Sequence, residues 1–357
     1  MKLLKKARYD LVSVSSMGVR ITPFERQPVH TSNLFRMQAT SAETNVLNIS
    51  ASLGKSTLVL SKFVEGSPVA AFIKAELRKR NIQYTGKEIP QGDPWGYRHQ
   101  FNIADSGFGL RGPLVSNDRA GEIGREIRAE DFDLERIFKK DKCKILHLSG
   151  LIAALSPEST RACVEIAEYA KACGTAISFD LNYRASFWKG RERQLRKDFQ
   201  MIASLADILV GNEEDFQLAL GIKGPEAGGQ GLEGKTESFK EMIEEARRAY
   251  PGVRLFATTL REVLHAGEHL WGALLWEEGG WILEEPRPIQ VYDRIGGGDG
   301  FVGGLLYGVL EGWRPEKQLQ FAWAGGALAA SVAEDYATPV SEEQLFNIYK
   351  GNARVKR

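Results

Sequence analysis

From about residue 130 onward, short β-branched and apolar segments alternate with helical ones, and this alternation limits the possible folds more than any other feature. Strands that alternate with helices form a mostly parallel sheet with helices on both faces. The predicted strands are 144–149, 175–181, 208–210 and 254–258, followed by a hairpin of 271–276 and 281–284, and the predicted helices are 159–172, 191–205, 213–220 and 238–250. The fold class is therefore α/β, and 357 residues suit one large domain or a core with a smaller attachment.

The first third of the chain has a less regular rhythm. Residues 9–14 and 19–22 alternate like strands, and the segment 43–53 is helical and ends at Gly54. Between 92 and 117, short aromatic and β-branched runs are separated by glycines and a proline. This last segment predicts a small β element outside the main sheet.

Composition excludes several other classes of protein. The 47 Lys and Arg residues nearly balance the 46 Asp and Glu residues, so no overall positive field favours nucleic acid or an anionic membrane. Three cysteines are an odd number, which argues against a disulfide framework and for a reducing compartment. No segment approaches the roughly 20 apolar residues of a membrane span, and the start lacks the apolar region of a signal peptide. We expect a cytoplasmic protein that binds neither nucleic acid nor membrane.

A glycine-rich run near the C-terminus is the most informative single segment. Seven of the thirteen residues from 296 to 308 are glycine, yet the apolar residues from Phe301 to Leu310 keep a helical period. Each glycine inside a helix costs about 1 kcal/mol relative to alanine, so such a helix needs close backbone contact. Packing against the small-residue segment 324–330 accounts for the glycines at 303, 304 and 308.

Gly296, Gly297 and Gly298 precede this helix and need another explanation. Free N–H groups at a glycine-rich helix start form an anion site, although a purely structural turn is the alternative. Asp299 stands beside that site and is well placed to take a proton from an attacking hydroxyl. The dinucleotide fingerprint, which Gly298, Gly300 and Gly303 formally match, is rejected because a helical segment follows where that motif needs a strand.

Two further polar groups follow predicted strands. Asn212-Glu-Glu-Asp215 follows strand 208–210, where oxygen ligands suit Mg²⁺ held through water beside nucleotide phosphates. Ordinary helix capping by Asn212 is the alternative. Asp180 and Arg184 end strand 175–181, where the arginine either holds a carboxylate or phosphate with two hydrogen bonds or pairs with the aspartate.

Together and in this order, these residues resemble the phosphofructokinase-B/ribokinase family of carbohydrate kinases over nearly the whole chain. The family signature Asp-Thr-x-Gly-Ala-Gly-Asp-x-Phe corresponds to the run from Asp293 to Phe301. The resemblance implies that Asp299 is the catalytic base and that the three preceding glycines, Gly296, Gly297 and Gly298, form the anion hole for the transferred phosphoryl group.

The resemblance also implies ATP and Mg²⁺ as cofactors. It does not decide whether a monovalent cation is required as well. Besides Gly296 and Gly298, the implied nucleotide-binding residues are Asn212, Thr259 and Arg261. Asn212 and Asp215 would hold Mg²⁺ through water, with Asp215 in place of the family's glutamate.

Within the family, the chain most resembles 2-keto-3-deoxygluconate kinases. Their early sugar-contacting segment is similar to the run from Thr40 to Val46, which implies Ser41 and Asn45 at the sugar. Similar patterns after strand 175–181 and at 117–119 imply a further acid, Asp180, and two arginines, Arg184 and Arg119, at an acidic keto-deoxy sugar. A kinase for another sugar or a nucleoside, or a catalytically weak sugar- or nucleotide-binding regulator, stays open.

The implied fold is ribokinase-like. It has a Rossmann-type three-layer core with a mostly parallel sheet, and a small β-sheet lid formed by segments near 20–40 and 92–120 of a single domain, 1–357. Because lids of this family often pair between subunits, we expect a homodimer through the lid.

Besides Asp215, the sequence departs from the family pattern at four further places. The sugar-binding Gly-Gly is Thr40-Ser41, and Ser15-Ser16 stand where Gly-Glu or Gly-Asp is usual. Arg261 replaces the glycine of a Thr-x-Gly element near the nucleotide, and Arg294 replaces the signature threonine. The phosphoryl-transfer half is therefore better preserved than the sugar half.

Overall fold

The computed structural model describes residues 1–226, 231–232 and 235–354, and the predicted loop 224–235 lies partly outside them. The strands of these residues are β1 (Tyr9–Val14), β2 (Gly18–Pro23), β3 (Phe35–Thr40), β4 (Thr57–Leu60), β5 (Phe63–Val64), β6 (Gln83–Thr85), β7 (Glu88–Ile89), β8 (Gln100–Ala104), β9 (Val115–Asp118), β10 (Cys143–Ser149), β11 (Ala176–Asp180), β12 (Ile208–Val210), β13 (Leu255–His265), β14 (Glu268–Glu277) and β15 (Gly280–Gln290). Their α-helices are α1 (Ala42–Ser52), α2 (Pro68–Lys79), α3 (Gly150–Ala153), α4 (Pro157–Ala172), α5 (Ala185–Trp188), α6 (Glu192–Leu205), α7 (Glu213–Asp215), α8 (Thr236–Ala249), α9 (Gly297–Leu310), α10 (Pro315–Ala330) and α11 (Glu342–Tyr349). Across these described ranges, no helix is long and apolar enough to cross a membrane.

Within the described residues, the main sheet has nine strands in the order β15-β14-β13-β12-β11-β10-β1-β4-β6. Neighbouring strands are parallel from β6 to β13, whereas β13, β14 and β15 are antiparallel. Side chains alternate across the sheet, so Val12 of β1 belongs to the apolar layer that includes residues of α4, α6 and α8, whereas Leu11 belongs to the layer that includes residues of α1, α2, α9 and α10. This three-layer arrangement confirms the predicted α/β fold class.

The strand predicted at 254–258 is too short, because β13 continues to His265. Its second half pairs with β14, with Thr259 opposite Ala273 and Arg261 opposite Trp271. That half carries charged residues, and pairing with β14 rather than its own composition keeps it extended. The predicted hairpin is present as β14 and β15. Thr259 and Arg261 therefore lie on a strand rather than after one.

A separate small sheet has the order β3-β2-β8-β9. Its strands come from the two segments that were predicted to form a lid. Arg20 of β2 is fully buried and donates a 2.5 Å hydrogen bond to the carboxylate of Asp293, to which Ser106 also donates at 2.6 Å. This buried ion pair joins the small sheet to the loop that precedes α9.

The glycines of α9 allow two other helices to approach its backbone. A Cβ added at Gly300 would lie 2.5 Å from the backbone oxygen of Gly325 in α10, and one at Gly304 would lie 2.8 Å from that of Phe321. The predicted contact with segment 324–330 is wrong for Gly303, whose added Cβ would lie 2.7 Å from the backbone oxygen of Val46 in α1. It is also wrong for Gly304 and Gly308, which face α10 earlier in its sequence, at Phe321 and Gln318. Glycines on two faces of α9 therefore pack against two different helices.

Candidate active site

A cavity of about 900 Å³ lies where the carboxyl ends of β1, β10, β11, β12 and β13 meet the small sheet. Parallel strands bring their carboxyl ends to one edge, which is where α/β proteins bind ligands. Nearly all the predicted site residues line it: Ser41, Asn45, Arg119, Asp180, Arg184, Asn212, Asp215, Thr259, Arg261, Gly296, Gly298 and Asp299. Gly297 does not, because it is buried in the first turn of α9.

The turn before α9 can be built only with glycine at position 296. Gly296 has a φ of +86°, and a Cβ there would lie 1.9 Å from the backbone oxygen of Asp335. Gly298 is exposed, and an added Cβ would meet nothing within 4 Å. Since the first N–H groups of a helix have no intrahelical acceptor, the start of α9 presents donors to the cavity.

Asp299 lies in the first turn of α9 and faces the same cavity. Asn45 Nδ2 of α1 donates a 2.9 Å hydrogen bond to its Oδ2. Burial raises the pKa of Asp299 to about 7, with a further contribution from the negative charge of Asp335, against the lowering effects of Asn45 and Arg184. A carboxylate with this pKa is near the optimum for a general base at neutral pH.

Glu43 of α1 is a buried acid of the cavity that sequence reasoning missed. Its carboxylate accepts hydrogen bonds from Ser15 Oγ at 2.7 Å and from Ser149 Oγ. Burial raises the pKa of Glu43, partly offset by these two hydroxyls. Ser15 follows β1 and Ser149 ends β10. Because these two strands lie side by side in the sheet, the cluster can be recognised only once the fold is known. It gives one of the unusual residues, Ser15, a structural role.

The Thr40-Ser41 departure is accommodated by local hydrogen bonds. Thr40 Oγ1 donates to the carboxylate of Asp335, and Ser41 Oγ caps α1 by accepting the N–H of Thr44 at 3.1 Å. Both side chains still line the cavity. The two hydroxyls therefore narrow this part of the cavity while they are hydrogen-bonded to protein groups.

Two arginines, Arg119 and Arg184, line the cavity from different parts of the fold. Arg119, after β9, donates from Nη1 to both carboxylate oxygens of Glu122 at 2.7 and 2.9 Å. Its guanidinium carbon lies 4.9 Å from the ring centroid of Phe187. Arg184, just before α5, is exposed and donates to the backbone oxygen of Tyr183 at 2.7 Å. Arg119 is held in position, whereas Arg184 keeps most of its donors for a ligand.

The small sheet adds amide groups that the sequence did not single out. Gln100 and Asn102 of β8 line the cavity, and Gln100 Oε1, Asn102 Oδ1 and Asn45 Oδ1 are buried without a hydrogen-bond partner. A buried unpaired polar atom is costly, so these groups suit a ligand that brings its own donors. Their signal in sequence is weak, because isolated amides are common on any strand.

The candidate Mg²⁺ residues form a helix cap. Asp215 Oδ2 accepts the N–H of Asn212 at 2.8 Å and Oδ1 accepts that of Tyr183 at 2.7 Å, while Asn212 Oδ1 accepts the N–H of Asp215. The capping alternative therefore describes Asn212 and Asp215 here. Among the described residues, no group of three or more His, Cys, Asp or Glu could hold a metal ion. Carboxylates that border the cavity still fit Mg²⁺ bound mainly by water and phosphates.

The fold and the site first define a class: a ribokinase-like α/β protein with an anion site and an acid at the start of a glycine-rich helix. The chain belongs to the pfkB family of carbohydrate kinases, because residues 125–342 match that family. It is therefore a sugar kinase of a family that uses ATP.

Several known proteins are similar over nearly their full length. A 2-dehydro-3-deoxygalactonokinase from Haloferax volcanii is 26% identical over 98% of this chain and 99% of its own. A 5-dehydro-2-deoxygluconokinase from Clostridium tetani is 26% identical over 96% of this chain and 93% of its own. The crystal structure of a 2-dehydro-3-deoxygluconokinase from Thermotoga maritima has a TM-score of 0.86 at 27% identity, covering 97% of this chain and all of the other.

Proposed function

We propose that the protein transfers the γ-phosphoryl group of ATP to a hydroxyl of an acidic keto-deoxy sugar, with 2-keto-3-deoxygluconate as the substrate. The observation that carries this proposal is the position of Asp299. It lies at the start of α9 beside the exposed Gly298 and within the same cavity as Arg184 and Arg119. A base, an anion site and two guanidinium groups are thus available to one substrate.

In the proposed reaction, Asp299 accepts the proton of the acceptor hydroxyl. The oxygen of that hydroxyl then bonds to the γ-phosphorus as the bond from the γ-phosphorus to the β–γ bridging oxygen breaks, and ADP leaves. The N–H groups at the start of α9 stabilise the charge on the transferred group. Mg²⁺, held through water near Asn212 and Asp215, would neutralise phosphate charge when bound. Thr259 and Arg261 border the nucleotide, and a monovalent-cation requirement stays a prediction.

The acidic substrate is proposed from the arginines and from the relatives. Arg184 has free donors at the end of β11, and Arg119 is oriented by Glu122, so either can bind a carboxylate. The relatives named above are all called kinases of dehydro-deoxy sugar acids. Asp180, Asn45, Ser41 and the amides of β8 remain for hydroxyl groups.

Steady-state kinetics across a panel of acceptors tests the substrate. We expect 2-keto-3-deoxygluconate to have a higher kcat/KM than ribose or fructose, and Arg184→Gln to raise its KM about tenfold, the worth of one charge-assisted hydrogen bond. KM for a neutral sugar should not change in that variant. A neutral sugar that is phosphorylated better than the acid would overturn the substrate assignment. Including 2-keto-3-deoxygalactonate in the panel shows which of the two epimeric acids has the higher kcat/KM.

We also propose a homodimer through the small sheet. Its edge strands and neighbouring loops expose apolar side chains, which include Met37 of β3, Val115 of β9, Phe108, Leu110 and Leu114. Large exposed apolar groups clustered on one element are typical of a protein interface. This supports pairing of two small sheets.

A further inference from the structure

Two residues that depart from the family pattern, Arg261 and Arg294, lie in the same cavity. The part of the cavity that would hold the phosphate donor is called its donor end. Arg261 of β13 and Arg294 before α9 both line the cavity, as does Arg184. Neither Arg261 nor Arg294 has a hydrogen bond or ion pair with another residue of the described chain. The acid next to Arg294 in sequence, Asp293, is already bound to Arg20 and Ser106.

The three arginines lie close enough to affect one another. Burial, together with the like charges of Arg294 and Arg184 and against Glu213 and Asp215, lowers the pKa of Arg261 to about 10. Burial and Arg184 likewise lower the pKa of Arg294. Partly buried cations that repel each other are unfavourable when no anion is bound between them. The arrangement therefore suits a polyanion that binds between the guanidinium groups.

The strand order indicates which anion this is. The candidate sugar residues of α1 and the small sheet lie next to β1, and Asp180 and Arg184 lie at the end of β11. Arg261 lies on β13, two strand positions from β11 and four from β1. At about 4.8 Å for each position, the two ends of the site are on the order of 19 Å apart. Arg294 directly precedes the anion turn at Gly296. An anion that extends from the turn to β13 fits the polyphosphate of the nucleotide, and the sugar carboxylate is left to Arg184 at the end of β11 and to Arg119.

We propose that Arg261 and Arg294 form a guanidinium clamp on the β- and γ-phosphates of the nucleotide. The inference rests on the proposed function, since it assigns the donor end of the same site. The clamp supplies fixed positive charge beside the N–H groups of α9. Nucleotide binding should consequently depend less on Mg²⁺ than it would with a threonine at position 294.

Titration calorimetry of ATP and of inorganic pyrophosphate, with Mg²⁺ and with EDTA, tests the clamp without any sugar. We expect Arg294→Gln to weaken ATP binding about tenfold, with the larger loss in EDTA, and Arg294→Lys to recover part of it. The matched control is Arg193→Gln, an exposed arginine of α6 outside the cavity, which should bind ATP like the wild type. Unchanged ATP affinity in Arg294→Gln would overturn the proposal.

Thermal unfolding separates the clamp from a packing role. Removal of one repelling charge should raise the Tm of ligand-free Arg294→Gln and reduce the increase in Tm that ATP produces. A packing role would instead lower the Tm and leave the ATP-dependent increase unchanged.

Kinetics provide the remaining distinction. Arg294→Gln should raise KM for ATP and leave KM for the sugar acid unchanged, and the opposite pattern would assign the arginine to the carboxylate and overturn the clamp. Because ATP titration needs no acceptor, failure to phosphorylate 2-keto-3-deoxygluconate would count against the proposed function and leave the clamp testable.

Discussion

At the scale of single residues, Asp299 and Glu43 show what sequence can and cannot predict. The anion turn and Asp299 are contiguous, and their chemistry depends on a helix start, so the local sequence predicts them. Glu43, Gln100 and Asn102 enter the site because strands distant in sequence lie side by side. Their partners cannot be identified before the order of the strands is known.

The raised pKa of Asp299 predicts a pH dependence. A base works when deprotonated, and burial raises the pKa of this carboxyl to about 7. The kcat/KM should therefore fall about tenfold for each pH unit below about 7 and level off above it. Steady-state assays between pH 5 and 9 measure this profile.

Other acids of the cavity provide the control for that profile. Burial raises the pKa of Asp215 to about 6 and that of Asp180 well above its usual range. Asp180→Asn should therefore keep the acid limb near pH 7 even if KM for the sugar rises. A limb that disappears in Asp180→Asn would show that Asp299 is not the titrating base.

At the scale of elements, α9 was predicted as a glycine-rich helix, but Gly303 packs against a different helix than predicted, and Gly304 and Gly308 meet α10 before segment 324–330. Periodicity shows that a helix is apolar and carries small residues on its faces, but it does not show which neighbouring helix packs against each face. The small-residue segment in α10 was visible in the sequence, whereas the contact with α1 depends on a carbonyl oxygen of Val46. Backbone groups leave no compositional signal.

Gly303→Ala tests this corrected packing. An added Cβ would lie 2.7 Å from the backbone oxygen of Val46, so α1 or α9 must shift. We expect the free energy of unfolding to fall by about 1–3 kcal/mol, measured by denaturant titration. Gly252→Ala is the matched control, because its nearest neighbour is 4.0 Å from the added Cβ. Equal stability of the two variants would contradict the packing described for α9.

At the scale of the whole molecule, the small sheet is fixed to the core at one side and exposed at the other. Arg20 anchors it to Asp293, next to the anion turn, while its outer side chains are open. The sequence predicted segment 92–117 as a separate β element because it interrupts the strand–helix alternation, and the resemblance to the family added the segment near 20–40. It could not predict the Arg20–Asp293 pair, whose members are 273 positions apart.

The proposed homodimer predicts a change in mass. Leu110 is 97% exposed in a loop of the small sheet, so Leu110→Glu should place charge in the interface and produce monomers. Val340→Glu, at a position that is 84% exposed outside the small sheet, should leave the dimer intact. Sedimentation equilibrium distinguishes the two masses. A wild-type chain that sediments as a monomer at all concentrations would contradict the proposal.

The central claim is that Asp299 serves phosphoryl transfer from ATP to a sugar acid. The most direct measurement is phosphorylated product formed from ATP and 2-keto-3-deoxygluconate by the wild type and by Asp299→Asn, detected by mass spectrometry. We predict product with the wild type and a loss of at least about a hundredfold in kcat for the variant, which should still bind ATP. Equal product from both proteins, or none from the wild type with any sugar of the panel, would contradict the account.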